Sequence, residues 1–161
     1  MNPRVEMMVQ SRELEAGAAS DREVAARWRD AIQTYADSRG DLSPKSMLTL
    51  CYQAGLQGAT AILRAAGYRV RASATGHHRL VFEALRALEI DGLSPLGREM
   101  NDLRRRRNHA VYEWDDDDGE SAAGIDPGRL EDVVGRMLRL GHAWLRDQRP
   151  AIAAELDPPA P

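Results

Sequence analysis

Within residues 19–148, a polar residue followed directly by proline stands three times, each time before apolar residues at helical spacing. The three pairs are Ser43-Pro44, Ser94-Pro95 and Asp126-Pro127. A short polar side chain caps the first turn of a helix, and proline fits the first helical position, where no amide donor is needed. The pattern therefore predicts three helices that begin near residues 44, 95 and 127.

Two further segments have the apolar periodicity of an amphipathic helix. Ser20 or Asp21 can cap the earlier segment, which ends near Gly40, and Asp91-Gly92 stops the later one. The apolar positions are Val24, Trp28, Ile32 and Tyr35 in the earlier segment and Leu80, Val81, Leu85 and Leu88 in the later one. With the three capped helices, these segments bring the predicted number of helices to five.

Composition favours the same fold class. The chain has 161 residues, of which 43% are hydrophobic and only one is phenylalanine, so the core must consist mainly of Leu, Ala, Val and Met. These residues favour helices over sheets, and no strand pattern is visible. We predict an all-α, up-and-down bundle of four or five helices over residues 19–148. Residues 1–18 and the Pro/Ala-rich tail 149–161 carry no sustained apolar face, and we expect both segments to be mobile.

The second of these helices is expected to lie at the centre of the bundle, because it is apolar on nearly all sides. Gly55 and Gly58 lie within it, and we expect them to let another helix approach closely.

Charge is strongly segregated although the formal net charge is only −3. Four arginines at 104–107 are followed by four aspartates at 115–118, and such a basic patch can attract a polyanion whatever the net charge. The lone Cys51 excludes an intrachain disulfide and favours a reducing cytoplasm. No apolar stretch approaches the roughly 20 residues of a membrane span, and no signal-peptide core is visible, so no membrane association is expected.

The arginine run lies within what is otherwise the apolar stripe of a helix. Arg107 falls in the middle of that stripe, whose other members are Leu96, Met100, Leu103, Ala110, Val111 and Trp114. Arginine is rarely buried without a partner. Its position therefore points to a subunit interface, to a cleft that holds an anion, or to an ion pair with an acidic residue of another helix.

The stretch Leu103–Asn108, followed by Tyr112, resembles the HEPN family (higher eukaryotes and prokaryotes nucleotide-binding), whose motif is Arg, a polar residue and then His four to six residues on. The segment Ala65–Arg71, followed by Gly76-His77-His78, is also similar to a bacterial branch of that family. The resemblance covers roughly residues 45–147. It implies a homodimer in which Arg and His of both subunits line one cleft. It also implies a metal-independent endoribonuclease without a cofactor, often a toxin paired with a nucleotidyltransferase antitoxin.

Two registers of the family motif fit this chain. If Arg107-Asn108 is the Arg-polar pair, Tyr112 stands where the histidine belongs, and a tyrosine, with a pKa near 10, is a poor base at pH 7. If His109 is the histidine, its arginine is Arg104, and Arg105 replaces the polar neighbour. Helical geometry places Arg104, Asn108 and Tyr112 on one strip beside the core stripe, whereas His109 points away from it.

These considerations define the predicted site and its alternatives. The catalytic candidates are Arg104, Arg107, Asn108, His109 and Tyr112, and the nucleic-acid-binding candidates are Arg104, Arg105, Arg106 and Arg107. No metal site is predicted, because the adjacent His77 and His78 do not converge on one ion and the aspartate run lacks the ligand spacing of a calcium loop.

Three functions remain open at this stage. The first is an RNA-binding ribonuclease. The second is a non-catalytic module that binds nucleic acid or nucleotides, or that serves as the partner of a nucleotidyltransferase. The third is a structural helical protein whose arginines only form salt bridges.

Overall fold

The computed structural model describes residues 2–112 and 125–161, with the side chains of 108–112 left aside. Within these ranges the chain forms six α-helices, one 3-10 helix and a two-stranded sheet. The helices are α1 Pro3–Gln10, α2 Asp21–Ser38, α3 Pro44–Ala65, α4 His77–Ala87, α5 Leu93–Tyr112 and α6 Pro127–Gln148, with the 3-10 helix at Pro150–Glu155. The strands are β1 Leu14–Ala16 and β2 Tyr68–Val70. The predicted all-α class is confirmed.

Helices α2, α3 and α6 begin where the capping residues predicted. The Ser20 hydroxyl accepts from the Glu23 amide at 3.1 Å, and the Ser43 hydroxyl accepts from the Ser46 amide at 3.2 Å. The Asp126 carboxylate accepts from the Gly128 amide at 3.0 Å. Each of these bonds satisfies an amide that has no partner inside its helix.

The predicted start of α5 is wrong by two residues. The helix begins at Leu93, whose amide, like that of Ser94, donates to the Ile90 carbonyl. Ser94 is therefore not the cap. Pro95 is accepted inside the first turn because amides there need no helical acceptor.

Helix α3 forms the centre of the molecule. It packs against α2, α4 and α6, and each helix from α2 to α6 packs against the next one in the sequence. A Cβ atom added at Gly55 would lie 2.8 Å from Met100 Cε of α5, and one at Gly58 would lie 2.5 Å from Leu138 Cδ2 of α6. The central position of α3 and the close approach at both glycines are thus confirmed.

The terminal segments carry packed elements that the sequence did not predict. Helix α1 buries Val5 and Met8, and β1 pairs antiparallel with β2, with Leu14 opposite Val70. In the C-terminal tail, Ile152 is buried. The expectations that these segments lack a packed face, and that the chain has no strand, are therefore wrong. Elements of three to eight residues offer too few positions for a periodic pattern. The division of the chain into a helical bundle and two terminal segments stays a prediction.

None of the helices in the described ranges has the length and apolar character that crossing a bilayer requires.

Candidate functional site

The apolar stripe of α5 leads directly to the guanidinium of Arg107. Leu96, Met100 and Leu103 are all buried, as the periodicity predicts, and the partly buried Arg107 follows them one turn later. Ala110, Val111 and Trp114, which the sequence places on the same stripe, have side chains outside the described part of the structure.

Arg107 lies over the ring of Tyr52, a residue of α3. Its guanidinium carbon is 4.5 Å from the ring centroid, and Tyr52 is only 2% exposed. A cation over an aromatic face is attracted by the negative face of the ring, by about 0.5–2 kcal/mol depending on solvation. The aromatic ring therefore gives Arg107 a favourable position without a carboxylate partner.

Tyr52 also contacts the imidazole of His78, at the start of α4. The Tyr52 hydroxyl lies 3.4 Å from His78 Nδ1, and the two ring centroids are 5.9 Å apart. Tyr52 also packs edge-on against Phe82, at 6.0 Å between centroids. The buried tyrosine is thus the common neighbour of a cation on α5 and an imidazole on α4.

The surroundings shift the pKa values of both rings. Burial raises the pKa of Tyr52, although the positive charges of Arg107 and Arg104 oppose the shift. Burial lowers the pKa of His78, and His77, Arg107 and Arg104 lower it further. At neutral pH, Tyr52 is therefore a protonated hydroxyl and His78 an uncharged imidazole.

Arg104 lies one helical turn before Arg107. Its Nε donates to the side-chain oxygen of Asn101 at 3.2 Å, a neutral acceptor. Within the described residues, neither Arg104 nor Arg107 forms a salt bridge with a carboxylate, whereas Arg105 pairs with Asp102. The aspartates at 115–118 lie outside the described residues.

A basic cleft of about 170 Å³ continues from Arg104 between α4 and α5. Five arginines and two carboxylates line it, so positive charge is in excess. The lining residues are Arg79, Glu83, Arg86, Arg98, Asn101, Asp102, Arg104 and Arg105. Glu83 pairs with Arg79 at 2.7 Å, and among the described residues Arg86 and Arg98 form no ion pair.

Sequence reasoning missed the contribution of α4 to this cleft. A signal was available, because Arg79 and Arg86 stand seven residues apart, as do Arg98 and Arg105. Residues seven apart lie two turns apart on the same face of a helix. Two helices that each present such a pair to the other form a basic groove, but only their packing shows that the faces meet.

The other predicted site residues are Arg106, Asn108, His109 and Tyr112. Arg106 is exposed, and the side chains of Asn108, His109 and Tyr112 lie outside what the structure describes. Cys51 is buried, and burial raises the pKa of its thiol to about 12, which excludes it as a nucleophile at neutral pH. In the part of the chain that the structure describes, no three His, Cys, Asp or Glu side chains are grouped to hold a metal ion.

Comparison with protein-family models, curated proteins and solved structures gives no match.

Proposed function

We propose that this protein is a HEPN-like RNA-binding protein that holds RNA phosphates on the face formed by α4 and α5. The observation that carries the proposal is that Arg104 lines a basic cleft, that Arg107 follows one helical turn later, and that neither has a carboxylate partner among the described residues. Guanidinium groups that are not neutralised internally favour an external anion, and their planar fork matches a phosphate.

The row of arginines along α5 suits a flexible single strand. Arg98 and Arg105 are separated by about 10 Å along α5, since each helical residue rises 1.5 Å. A single-stranded backbone can bend, so that its phosphates follow the arginines that line the cleft. Binding of this kind depends on charge and carries little sequence preference.

We further propose that the protein cleaves the RNA that it binds, at a cleft shared by two copies of the chain. In such a reaction the 2′-hydroxyl attacks the adjacent phosphorus, a base accepts its proton, and the 5′-oxygen of the next nucleotide leaves and is protonated. His109 is the proposed base, and Arg104 and Arg107 stabilise the charge on the phosphate. The products are a 2′,3′-cyclic phosphate and a 5′-hydroxyl, and no metal is required.

A non-catalytic role is the second candidate. It is favoured by Tyr112, which stands where one register of the motif requires histidine. The protein would then retain the phosphate-binding arginines and serve as a binding module or as the partner of a nucleotidyltransferase. If the protein is catalytic, we propose that it acts as the toxin of a toxin-antitoxin pair.

A cleavage assay in excess chelator separates the two candidates. The catalytic proposal expects metal-independent cleavage that falls by roughly 10²- to 10⁴-fold in His109→Ala, with RNA affinity nearly unchanged. His77→Ala is the matched control and keeps the wild-type rate. RNA binding without cleavage in the wild-type protein would favour the binding module, and cleavage unaffected by His109→Ala would contradict His109 as the base.

A further inference from the structure

We propose that His78 joins Arg104 and Arg107 in one phosphate-binding site, and that Tyr52 positions the imidazole and the Arg107 guanidinium beside each other. The inference rests on the proposed function, because it names an additional ligand-contacting residue on the same face. It adds α4 to a site that the sequence motif places on α5 alone.

The first step is the hydrogen bond between Tyr52 and His78. A protonated phenol beside a neutral imidazole donates its proton, so Nδ1 of His78 accepts from Tyr52 at 3.4 Å. The ring proton of His78 is then on Nε2. That N–H is directed away from Tyr52, and it can donate to an anion.

The second step is the shared position of His78 and Arg107, which both contact Tyr52. Tyr52 is almost fully buried on α3 and contacts His78 through its hydroxyl and Arg107 through its ring face. Because one rigid ring contacts both groups, the imidazole and the guanidinium are held on the same part of the surface. Arg104 lies one turn away on α5, near enough for its charge to act on His78.

The third step concerns the charge of His78. The groups that act on it are His77 on its own helix, Tyr52 on α3, and Arg104 and Arg107 on α5. In the free protein, burial and these positive charges oppose its protonation. A bound phosphate neutralises the arginines and favours the imidazolium, so binding should raise the pKa of His78.

Thermodynamic linkage gives the sign of the pH dependence. A ligand that raises the pKa of His78 must bind more tightly when the imidazole is protonated, and affinity should therefore increase as the pH falls. Since its pKa starts below 6.5, the increase belongs to mildly acidic solution. His77, whose neighbours in two other clefts include Arg27 and Thr60, provides a control on the same helix.

The test measures the Kd of a short fluorescein-labelled single-stranded RNA from about pH 8 to about pH 5, a range centred on imidazole titration. Wild-type protein should bind about tenfold more tightly at the acidic end, the gain of one charge-assisted contact. His78→Gln should remove most of this gain, whereas His77→Gln should retain it. A pH dependence that survives in His78→Gln, while Arg107→Ala still weakens binding, would overturn the role of His78 and leave the proposed function standing.

A second measurement needs no substitution at His78 and is independent of RNA. NMR titration of the histidine ring protons, with and without inorganic pyrophosphate, should show an upward shift in the pKa of His78. Tyr52→Phe should reduce that shift. If RNA does not bind but pyrophosphate still raises the pKa of His78, the proposed function fails and the phosphate site stands; an unchanged pKa of His78 in saturating pyrophosphate overturns the site.

Discussion

Two arginines that are at least partly buried, Arg64 and Arg107, differ in the partners of their guanidinium groups. Arg64 is 7% exposed, and its Nε donates to Glu23 at 2.8 Å. It also donates to the carbonyls of Gly17 and Tyr68. Arg107 contacts the aromatic ring of Tyr52 and has no carboxylate partner among the described residues. Arg64 therefore joins the helices to the strand region, while Arg107 has donors left for a ligand.

The Glu23–Arg64 pair gives a prediction for stability. Hydrogen bonding to Arg64, helped by Arg27 and opposed by burial, lowers the pKa of Glu23 from 4.5 to about 2. Glu23→Gln should lower the free energy of unfolding at pH 7 by about 1 kcal/mol, a value reduced because Glu23 is partly exposed. A group with a depressed pKa stabilises above its unfolded value, so the difference should vanish as pH falls from 4.5 towards 2.

Urea unfolding of the variant and the wild-type protein at a series of pH values measures this difference. Asp30→Asn, an exposed carboxylate on the same helix, is the control and should leave stability unchanged. If Glu23→Gln were still less stable than the wild-type protein by the same free energy of unfolding near pH 2, the effect would come from packing and not from the charge of Glu23.

At the scale of single residues, the sequence predicted that Arg107 lies in the apolar stripe of its helix, but it did not predict the residues that Arg107 contacts. Periodicity identifies a charge inside an apolar stripe, because this needs only the residues of one helix. Tyr52 and His78 are 26 positions apart and come together only through the packing of α3 against α4. No spacing rule within the chain expresses that contact.

At the scale of the elements, Gly97 sets the distance between the two helices that form the basic cleft. A Cβ atom there would lie 2.8 Å from the Phe82 carbonyl oxygen and 3.1 Å from the Arg86 amide nitrogen, both in the backbone of α4. Backbone atoms cannot move aside as a flexible side chain can. The glycine therefore permits α4 and α5 to approach closely.

Gly97→Ala should lower the free energy of unfolding by about 1–2 kcal/mol, because overpacking outweighs the roughly 1 kcal/mol that alanine gains in a helix. The same substitution should weaken RNA binding by widening the cleft. Gly17→Ala, where a Cβ would meet nothing within 4 Å, is the control for thermal and urea denaturation. Equal or greater stability of Gly97→Ala would contradict this role.

The helices also show where sequence signals are reliable. A cap followed by proline located the starts of α3 and α6, since capping depends on neighbours in the chain. The same pair at Ser94-Pro95 lies inside α5, because Ile90 supplies an earlier acceptor. The short strands pair residues more than fifty positions apart, and tertiary contact decides their formation.

At the scale of the whole molecule, we predict a homodimer. The arginine face of each copy, formed by Arg104 and Arg107, lies near that of the other copy. The apolar stripe of α5 contains a cation, Arg107, and a two-fold axis would place two such sites in one cleft. Sedimentation velocity at micromolar concentration should give twice the mass of the chain. A monomer under these conditions would contradict a cleft shared by two copies of the chain.

The central claim is that the arginine face, and not the general charge of the molecule, binds RNA. It is tested by the Kd of a labelled single-stranded RNA for Arg104→Ala/Arg107→Ala. The matched control is Arg22→Ala/Arg29→Ala, which removes the same charge from exposed positions on α2. The assay is fluorescence anisotropy over a range of salt concentrations.

The wild-type protein and the α2 variant should bind alike, with log affinity falling against log salt by about 0.7 for each phosphate contacted. The α5 variant should bind at least about tenfold more weakly and with a shallower salt dependence, because contacts have been lost. Equal affinities and equal slopes for the two double variants would contradict the account.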